Sequence, residues 1–491
     1  MNRPLRHIAV FCGALALALL VRATWIQFVQ GDTLANDKHN RRVTIARYAE
    51  PRGDIIVGGQ PITGSQAVPG SDLKYKRTFK DGPMYAPITG YSSQAQGSVF
   101  LEGVYDKFLS GRDDRLFLKH AKDVLTGSRP HGGDVITTID PKVQKVAYKS
   151  LTDLKAQGAV VALDPRSGKI LAMASTPSYD PNTFSGNSLK EGKRFKALLD
   201  DKKNKPLNNR ANREIYPPGS TFKILTAAAA LEHGVVTDIN APSGAPAPYT
   251  LPGTRTKVGN DVDNSLCDKV SLKAGLQWSC NNVYLDAAKK VGKDKMRETA
   301  EKFGFNKEYF TPVRAAVSGY PSKLDAPQTA LTGMGQGSVT STPLQMAMVA
   351  AGLANNGKVM EPYLVEELRG PDLTPVEKHK PKVMSQAVSE DTAKKVQEMM
   401  ENTAEHGTAK KALISGVKVG AKTGTAQHGM DVRDERPYAW FVAYAKQGDG
   451  SPVAVAVFVD PKDMDMPRSE IAGGRLGGPI AKKVMEAALK K

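Results

Sequence analysis

The chain of 491 residues is too long for one ordinary compact domain, and its length predicts two or three. Its residues are 40% hydrophobic and 24% charged, which supplies a sizeable core and excludes wholesale disorder. The formal net charge is +18, but the basic residues are spread thinly and no zinc-finger, RNP or helix-turn-helix pattern accompanies them, so nucleic acid is not an expected partner. A location facing anionic envelope polymers or lipid headgroups accounts for the charge equally well.

The first predicted element is an apolar helix at the N-terminus. Two arginines precede an apolar run from Ile8 to Val21, and apolar side chains around Trp25 extend it. Length and flanking charge predict a single transmembrane anchor over residues 7–29, with residues 1–6 in the cytoplasm and the rest of the chain extracellular. A cleaved signal peptide is the alternative, and it would export the same part of the chain.

Residues 30–135 form the next predicted unit, which is rich in glycine and charged residues. It contains short strand-like runs such as RRVTIARY (41–48) and DIIVGG (54–59), and its first strong helical pattern is SVFLEGVYDKFLSG (98–111). The pattern predicts a β-rich domain without catalytic chemistry of its own.

Residues 136–491 predict a second, larger domain of the α+β class. GAVVALDPRSGKILAMAS (158–175) is typical of a β-hairpin, and a strand followed by an amphipathic helix precedes it. Strands at both ends with helices between them predict a mixed sheet with an inserted helical region. The helical patterns cover residues 221–231, 271–291, 294–303, 343–355, 390–404 and 478–489, and the late strands cover 417–427, 439–446 and 452–460.

Ser220 and Lys223 stand at the start of a predicted buried helix in YPPGSTFKILTAAAALEHG (216–234). Two prolines and a glycine precede the helix, so the serine and the lysine share one face of its first turn. A serine in this position is often only a helix cap, and the string is weak by itself. The same spacing also occurs at Ser71/Lys74 and Ser415/Lys418.

Two further strings follow along the chain. LQWSCNNVYL (276–285) places Ser279 and Asn281 two residues apart near a turn between helical runs. VGAKTGTAQ (419–427) carries the only Lys-Thr-Gly of the chain at the end of a strand. Ser-x-x-Lys, Ser-x-Asn and Lys-Thr-Gly, in this order and in helix, loop and strand context, form one strong combined signal.

With these motifs the chain resembles the class B penicillin-binding proteins, which are peptidoglycan D,D-transpeptidases, and above all their actinobacterial penicillin-binding protein A branch. EPRGDII (50–56), NNRANREIYPPGSTFK (208–223) and GMGQGSVTSTPLQMA (333–347) extend the resemblance over nearly the whole chain. It implies a pedestal domain over residues 30–135. Over residues 136–491 it implies a transpeptidase domain of the penicilloyl-serine transferase (serine β-lactamase-like) fold with a central antiparallel sheet.

The resemblance also implies the reaction and the partners. The expected activity is crosslinking of stem peptides through an acyl-serine intermediate in cell-wall synthesis, serving cell shape or division, with acylation by β-lactams as its hallmark. The expected partners are peptidoglycan stem peptides, β-lactams, a multi-pass membrane glycosyltransferase and other cell-wall synthesis proteins. No cofactor is expected.

The chemistry assigns catalytic roles to four side chains. Ser220 is the expected nucleophile and Lys223 its general base, which requires burial and a second cation, Lys422, to lower the lysine pKa. Ser279 is expected to relay a proton to the leaving D-alanine. Backbone N–H groups of Ser220 and, by resemblance, Thr425 are expected to form the oxyanion hole.

Substrate binding is expected from the other motif positions. Asn281 is expected to bind the substrate amide. Thr423, Gly424 and Thr425 lie on a strand that can pair with an extended peptide, and the threonine hydroxyls can hold its terminal carboxylate.

The cysteines allow one disulfide. Cys267 and Cys280 lie 13 residues apart in the exported part, where a disulfide is permitted, and two isolated buried thiols are the alternative. Cys12 lies in the apolar N-terminal segment. No Cys/His spacing predicts a metal site.

Two other functions share parts of this pattern. A β-lactamase or D,D-carboxypeptidase carries the same motifs, but a secreted hydrolase does not need the N-terminal module of about 100 residues. A non-enzymatic penicillin-binding scaffold would recruit a membrane partner through the pedestal, and intact Ser220, Lys223 and Lys422 argue against that role alone.

Overall fold

The computed structural model describes residues 3–35, 41–116, 131–429, 435–448 and 450–490. Parts of the predicted units therefore lie outside the described residues, namely 1–2, 36–40, 117–130, 430–434, 449 and 491. The elements before residue 117 are helices α1 Arg3–Trp25, α2 Gly31–Ala35, α3 Arg41–Arg47, α4 Gly82–Thr89, α5 Phe100–Val104 and α6 Asp106–Leu109, and strands β1 Ile55–Val57, β2 Gln60–Pro61, β3 Thr63–Ala67, β4 Tyr75–Phe79, β5 Ser92–Ser93 and β6 Gly97–Ser98.

The elements after residue 131 build the larger part of the molecule. The helices are α7 Pro141–Asp153, α8 Leu189–Asp200, α9 Lys223–Glu232, α10 Leu272–Gln277, α11 Asn281–Val291, α12 Lys293–Lys302, α13 Ala326–Thr332, α14 Pro343–Ala354, α15 Glu390–His406 and α16 Gly473–Leu489. The strands are β7 Asp134–Thr137, β8 Gln157–Leu163, β9 Ile170–Thr176, β10 Tyr249–Thr250, β11 Lys257–Val258, β12 Lys358–Met360, β13 Val365–Arg369, β14 Pro375–Lys378, β15 Val383–Gln386, β16 Lys418–Ala426, β17 Tyr438–Gln447 and β18 Gly450–Asp460.

The N-terminal helix is continuous from Arg3 to Gln30, and its most apolar window of 18 residues has a mean hydropathy of 2.0. None of the side chains in that window is buried in the protein. By length and composition the helix can cross a membrane, which fits the predicted anchor over residues 7–29.

The N-terminal module is less β-rich than predicted. The run RRVTIARY, predicted as a strand, forms α3, so that prediction was wrong. Its β-branched residues favour a strand, but strand propensity depends on context, and the end of this helix is held by tertiary contacts: Arg47 pairs with Asp106 at 3.1 Å, and the buried Tyr48 hydroxyl lies 3.2 Å from that of Ser92. The strand predicted in DIIVGG is confirmed as β1, and the helical pattern at 98–111 is confirmed as α5 and α6.

A five-stranded sheet connects the two predicted domains, in the order β14-β13-β7-β1-β2. β7 runs parallel to β1 and antiparallel to β13. The predicted boundary between residues 135 and 136 lies inside β7, so the N-terminal module and the larger domain share backbone hydrogen bonds.

The central sheet of the larger domain has the strand order β16-β17-β18-β8-β9. All its neighbouring strands are antiparallel, as the resemblance implies, and β8 and β9 form the predicted hairpin. α7 and α16 pack on one face, and α14 and α15 pack on the other. Because helices cover both faces, every residue of β8 and β9 is buried, and both strands are apolar and rich in alanine.

The helical pattern predicted over residues 271–291 is interrupted in the structure. α10 ends at Gln277 and α11 begins at Asn281, with Ser279 between them at a φ of 61°. The Cys280 N–H donates to the Gly275 carbonyl at 2.8 Å and closes the turn. This turn presents Ser279 toward α9 and β16, while β16 occupies an edge of the central sheet.

Candidate active site

Ser220 lies in a 3₁₀ turn, Gly219–Phe222, that leads directly into α9. Gly219 has a φ of 53°, and a Cβ there would lie 2.9 Å from the Thr425 carbonyl oxygen. The indole N–H of Trp440 donates to the Pro217 carbonyl at 3.0 Å. Central-sheet residues therefore hold the turn from both sides, and Ser220 is 5% exposed.

Gly219→Ala is expected to slow acylation of Ser220 by about 100-fold, because the added Cβ must push the turn away from β16 and a shift of about 1 Å can have that effect. Gly234→Ala is the matched control: its φ is 68°, but its Cβ would meet no atom within 4 Å. The measurement is the rate of β-lactam acylation. Equal rates in both variants would contradict the prediction.

Two fully buried lysines converge on Ser279. Lys223 Nζ donates to the Ser279 carbonyl at 2.7 Å and lies 3.3 Å from its Oγ. Lys422 Nζ donates to the same Oγ at 2.8 Å and to the Thr423 carbonyl at 2.8 Å. Ser279 thus bridges the two ammonium-bearing side chains and provides a path for a proton between them.

The environment of both lysines disfavours a positive charge. Burial lowers the pKa of Lys223 to about 7, with the Asp261 charge acting weakly in the opposite direction. Burial, followed by repulsion from Lys223, lowers the pKa of Lys422 well below its ordinary value. Lys223 can therefore be neutral near pH 7, which a lysine acting as a general base requires.

Asn281 holds Lys223 in place. Its Oδ1 accepts from Lys223 Nζ at 2.7 Å, and its Nδ2 donates to the Gly259 carbonyl at 2.8 Å. Its backbone N–H donates to Asn260 Oδ1 at 2.6 Å. Both polar atoms of the carboxamide are thus engaged within the protein, so the contacts support a positioning role toward Lys223 beside the expected contact with substrate.

β16 brings the Lys-Thr-Gly segment to the same place along the edge of the central sheet. The hydroxyls of Thr423 and Thr408 lie 3.0 Å apart. Gly424 allows close packing, because a Cβ there would lie 2.9 Å from Thr221 Cγ2 and 3.0 Å from Trp440 Cβ. An edge strand keeps one side of its backbone free of sheet partners, so an extended peptide can pair with it.

A cleft of about 400 Å³ lies among the Ser220 turn, the Ser279 turn and β16. The predicted residues Ser220, Ser279, Thr423 and Thr425 line it, while the two lysines and Asn281 lie buried behind it. In the part of the chain that the structure describes, the Ser220 hydroxyl makes no hydrogen bond to another protein group. The other two Ser-x-x-Lys strings lie outside the cleft.

Sequence reasoning missed several residues of the cleft. Gly473 and Gly474 begin α16 against β16, and a Cβ at Gly473 would lie 2.6 Å from the Gly424 carbonyl oxygen. The double glycine could have indicated this close approach. No local pattern identified the other charged or hydroxyl-bearing side chains of the cleft, which are Asp261, Thr408, Lys410, Lys411 and Arg475.

Cys267 and Cys280 are joined in a disulfide with their Cα atoms 5.6 Å apart, so the structure favours the bridge over two isolated thiols. The bridge attaches the loop before α10 to the turn that carries Ser279. Within the described ranges, no group of three or more His, Cys, Asp or Glu residues could hold a metal ion.

Comparison with known proteins gives a consistent result. The sequence matches the penicillin binding protein transpeptidase domain over residues 158–486 and the penicillin binding protein A dimerisation domain over residues 52–135. It is 39% identical to peptidoglycan D,D-transpeptidase PbpA of Mycolicibacterium smegmatis, with 100% of both chains covered.

Solved structures show the same similarity. The ceftriaxone acyl-enzyme complex of penicillin-binding protein A from M. tuberculosis has a TM-score of 0.84 and 36% identity, covering 91% of this chain and 100% of that chain. The penicillin G acyl-enzyme complex of that protein has a TM-score of 0.82 and 36% identity, with coverage of 90% and 100%.

Proposed function

This chain belongs to the class B penicillin-binding protein transpeptidases and is a peptidoglycan D,D-transpeptidase that β-lactams acylate; we propose that Ser220 is its nucleophile and Lys223 its general base. The observation that carries the assignment is the convergence of Lys223 and Lys422 on Ser279, directly behind the cleft that presents the Ser220 hydroxyl. Burial lowers the pKa of Lys223 to about 7, and Ser220 precedes it in the 3₁₀ turn that leads into α9.

The acylation step follows from this arrangement. Neutral Lys223 takes the Ser220 proton as Oγ attacks the carbonyl of the D-Ala-D-Ala bond, and the negative charge on the carbonyl oxygen is stabilised by the N–H groups of Ser220 and Thr425. The C–N bond then breaks, and D-alanine leaves with a proton relayed through Ser279. Thr423, Gly424 and Thr425 hold the donor peptide along β16, with the hydroxyls directed to its carboxylate.

The second step transfers the acyl group to an amine of another stem peptide. The amine nitrogen attacks the Ser220 ester, the C–Oγ bond breaks, and the proton returns to Ser220 Oγ through Lys223. A β-lactam substitutes for the donor and stops the cycle at the acyl-enzyme, because its leaving group remains attached.

The cellular setting extends this proposal. Residues 7–29 form a single-pass anchor with residues 1–6 in the cytoplasm, and the pedestal of residues 30–135 and the transpeptidase domain of residues 136–491 are extracellular. A multi-pass membrane glycosyltransferase and other cell-wall synthesis proteins are the proposed partners, because a transpeptidase needs nascent strands to join. The N-terminal helix and its flanking arginines support this orientation.

The test is a crosslinking assay with full-length protein, a pentapeptide donor that ends in D-Ala-D-Ala and a stem peptide that offers a free amine. We expect crosslinked dimer and released D-alanine in equal amounts, both measured by mass spectrometry. Release of D-alanine without dimer would indicate a carboxypeptidase instead. Ser415→Ala changes the serine of an exposed Ser-x-x-Lys string and serves as the control variant. It should retain full crosslinking activity.

A further inference from the structure

The cleft beside Ser220 has one acidic side chain in a basic surrounding. Among the described residues that line it, Asp261 is the only carboxylate, and the other charged residues are Lys410, Lys411 and Arg475. Arg475 is paired with Glu470 at 2.8 Å. Asp261 is exposed and makes no hydrogen bond or ion pair to any residue that the structure describes.

The backbone that carries Asp261 is fixed on both sides. Before it, the Gly259 carbonyl and the Asn260 side chain accept from Asn281 at 2.8 Å and 2.6 Å. After it, Val262 packs against the main hydrophobic core, and the disulfide ties Cys267 to the residue following Ser279. The segment that carries Asp261 is therefore tied to the turn that carries Ser279, and both residues line the cleft together with Thr423 and Thr425 of β16.

The reaction requires a positively charged second substrate to reach this place. By microscopic reversibility, the acceptor amine enters along the path by which the amine of D-alanine leaves, between Ser279 and the β16 threonines. At neutral pH a free aliphatic amine is an ammonium ion. The lysines around the cleft repel such an ion, and a carboxylate at its mouth offsets that repulsion and orients the group.

We propose that Asp261 binds the ammonium group of the acceptor peptide and directs it to the Ser220 ester, an inference that rests on the proposed transpeptidase function. It is carried by the position of this carboxylate, which has no hydrogen bond or ion pair to a described residue, in the cleft that Ser279 also lines. The basic side chains of Lys410 and Lys411 complete the site by attracting carboxylate groups of the peptides. Asp261 thus acts in the binding of the acceptor amine and not in the attack of Ser220 on the donor peptide.

The step balances with groups already present. The bound ammonium loses one proton to solvent, and the neutral amine attacks the ester carbon, forming the new C–N bond. The C–Oγ bond to Ser220 breaks, and the second amine proton passes through Lys223 to Oγ. The products are an amide, the free serine and one released proton.

The experiment measures how one acyl-enzyme divides between competing nucleophiles. Full-length protein is acylated with a thioester analogue of the donor, and isotope-labelled D-alanine, methanol and water compete for the acyl group. D-alanine carries an ammonium group, whereas methanol is neutral and needs the same proton transfers. Product ratios do not depend on how fast the acyl-enzyme forms, so they separate the acceptor step from the donor step.

Asp261→Asn is expected to lower the ratio of aminolysis to hydrolysis about tenfold, mainly through a higher KM for D-alanine, and to leave the ratio of methanolysis to hydrolysis within about twofold. Asp263→Asn is the matched control, since Asp263 caps the 3₁₀ turn Asn264–Leu266 and does not line the cleft. It should match the wild type in both ratios.

Two outcomes would overturn the inference. The charge of Asp261 raises the pKa values of Lys223 and Lys422. If Asp261→Asn lowers aminolysis and methanolysis equally, Asp261 acts through these lysines and does not bind the ammonium group. If aminolysis is unchanged, Asp261 has no part in the acceptor step. A wild-type protein that forms no acyl-enzyme would overturn the proposed function together with this inference.

Discussion

Full-length protein carrying Ser220→Ala is expected to show no mass adduct after incubation with benzylpenicillin, whereas the wild type gains one penicillin mass that persists. The reason is that Ser220 lines the cleft one helical turn before the buried Lys223, and its hydroxyl, unlike that of Ser279, makes no hydrogen bond to a described protein group. Ser220 is buried, but its hydroxyl makes no hydrogen bond to a described protein group, so its loss should leave the unfolding temperature at the wild-type value. Intact-protein mass spectrometry and thermal unfolding measure the two properties.

Ser415→Ala is the control for this experiment, because it changes an exposed serine in the same Ser-x-x-Lys string. It should be acylated like the wild type. An adduct of normal yield on Ser220→Ala would overturn the assignment of the nucleophile. An adduct that disappears from the wild type within seconds would instead indicate a hydrolase.

Lys223→Met is expected to slow β-lactam acylation by about 10² to 10⁴, because it replaces the base with an uncharged side chain of similar length. The wild-type acylation rate should rise with pH through about 7, since the active form of Lys223 is neutral and its pKa is lowered to about 7. Below that pH the lysine is protonated and cannot accept the serine proton. Stopped-flow acylation between pH 5.5 and 9 measures both effects.

The matching control is Lys418→Met, which changes the exposed lysine of the Ser415 string and should keep the wild-type rate and pH profile. The variant at Lys223 should lose the rise through pH 7. A Lys223→Met protein that keeps this rise would show that another group is the base, and Lys422 is then the first candidate because it contacts Ser279 from the opposite side.

Burial is the first cause of the lowered pKa of both lysines. Repulsion from Lys223 lowers the pKa of Lys422 further, whereas the expected effect of Lys422 on the pKa of Lys223 is not among its causes. Ser279 and Asn281 supply oxygens that stabilise whichever lysine is charged. The contacts of Ser279 with both lysines would give the proposed reaction a path for the proton that leaves Ser220 and is later delivered to D-alanine.

The sequence by itself determined the local features. The hairpin of β8 and β9, the late strands and most helices follow from periodicity and turn residues, and their prediction was confirmed. Ser220, Lys223, Ser279 and Lys422 could be selected because a nucleophile, its base and a second cation are particular residue types at recognisable spacings. The apolar run and the arginines before it were sufficient to predict the apolar N-terminal helix.

Only the tertiary structure decided which of these residues contact one another and which further residues line the cleft. Lys223 contacts Ser279 across 56 residues and Lys422 contacts it across 143, and no local pattern encodes such distances. The same holds for residues 41–47, which are helical despite their strand propensity, and for Asp261, which lies in an ordinary polar loop. Side-chain periodicity reports only the immediate neighbours of a residue, whereas a catalytic cleft depends on packing between distant segments.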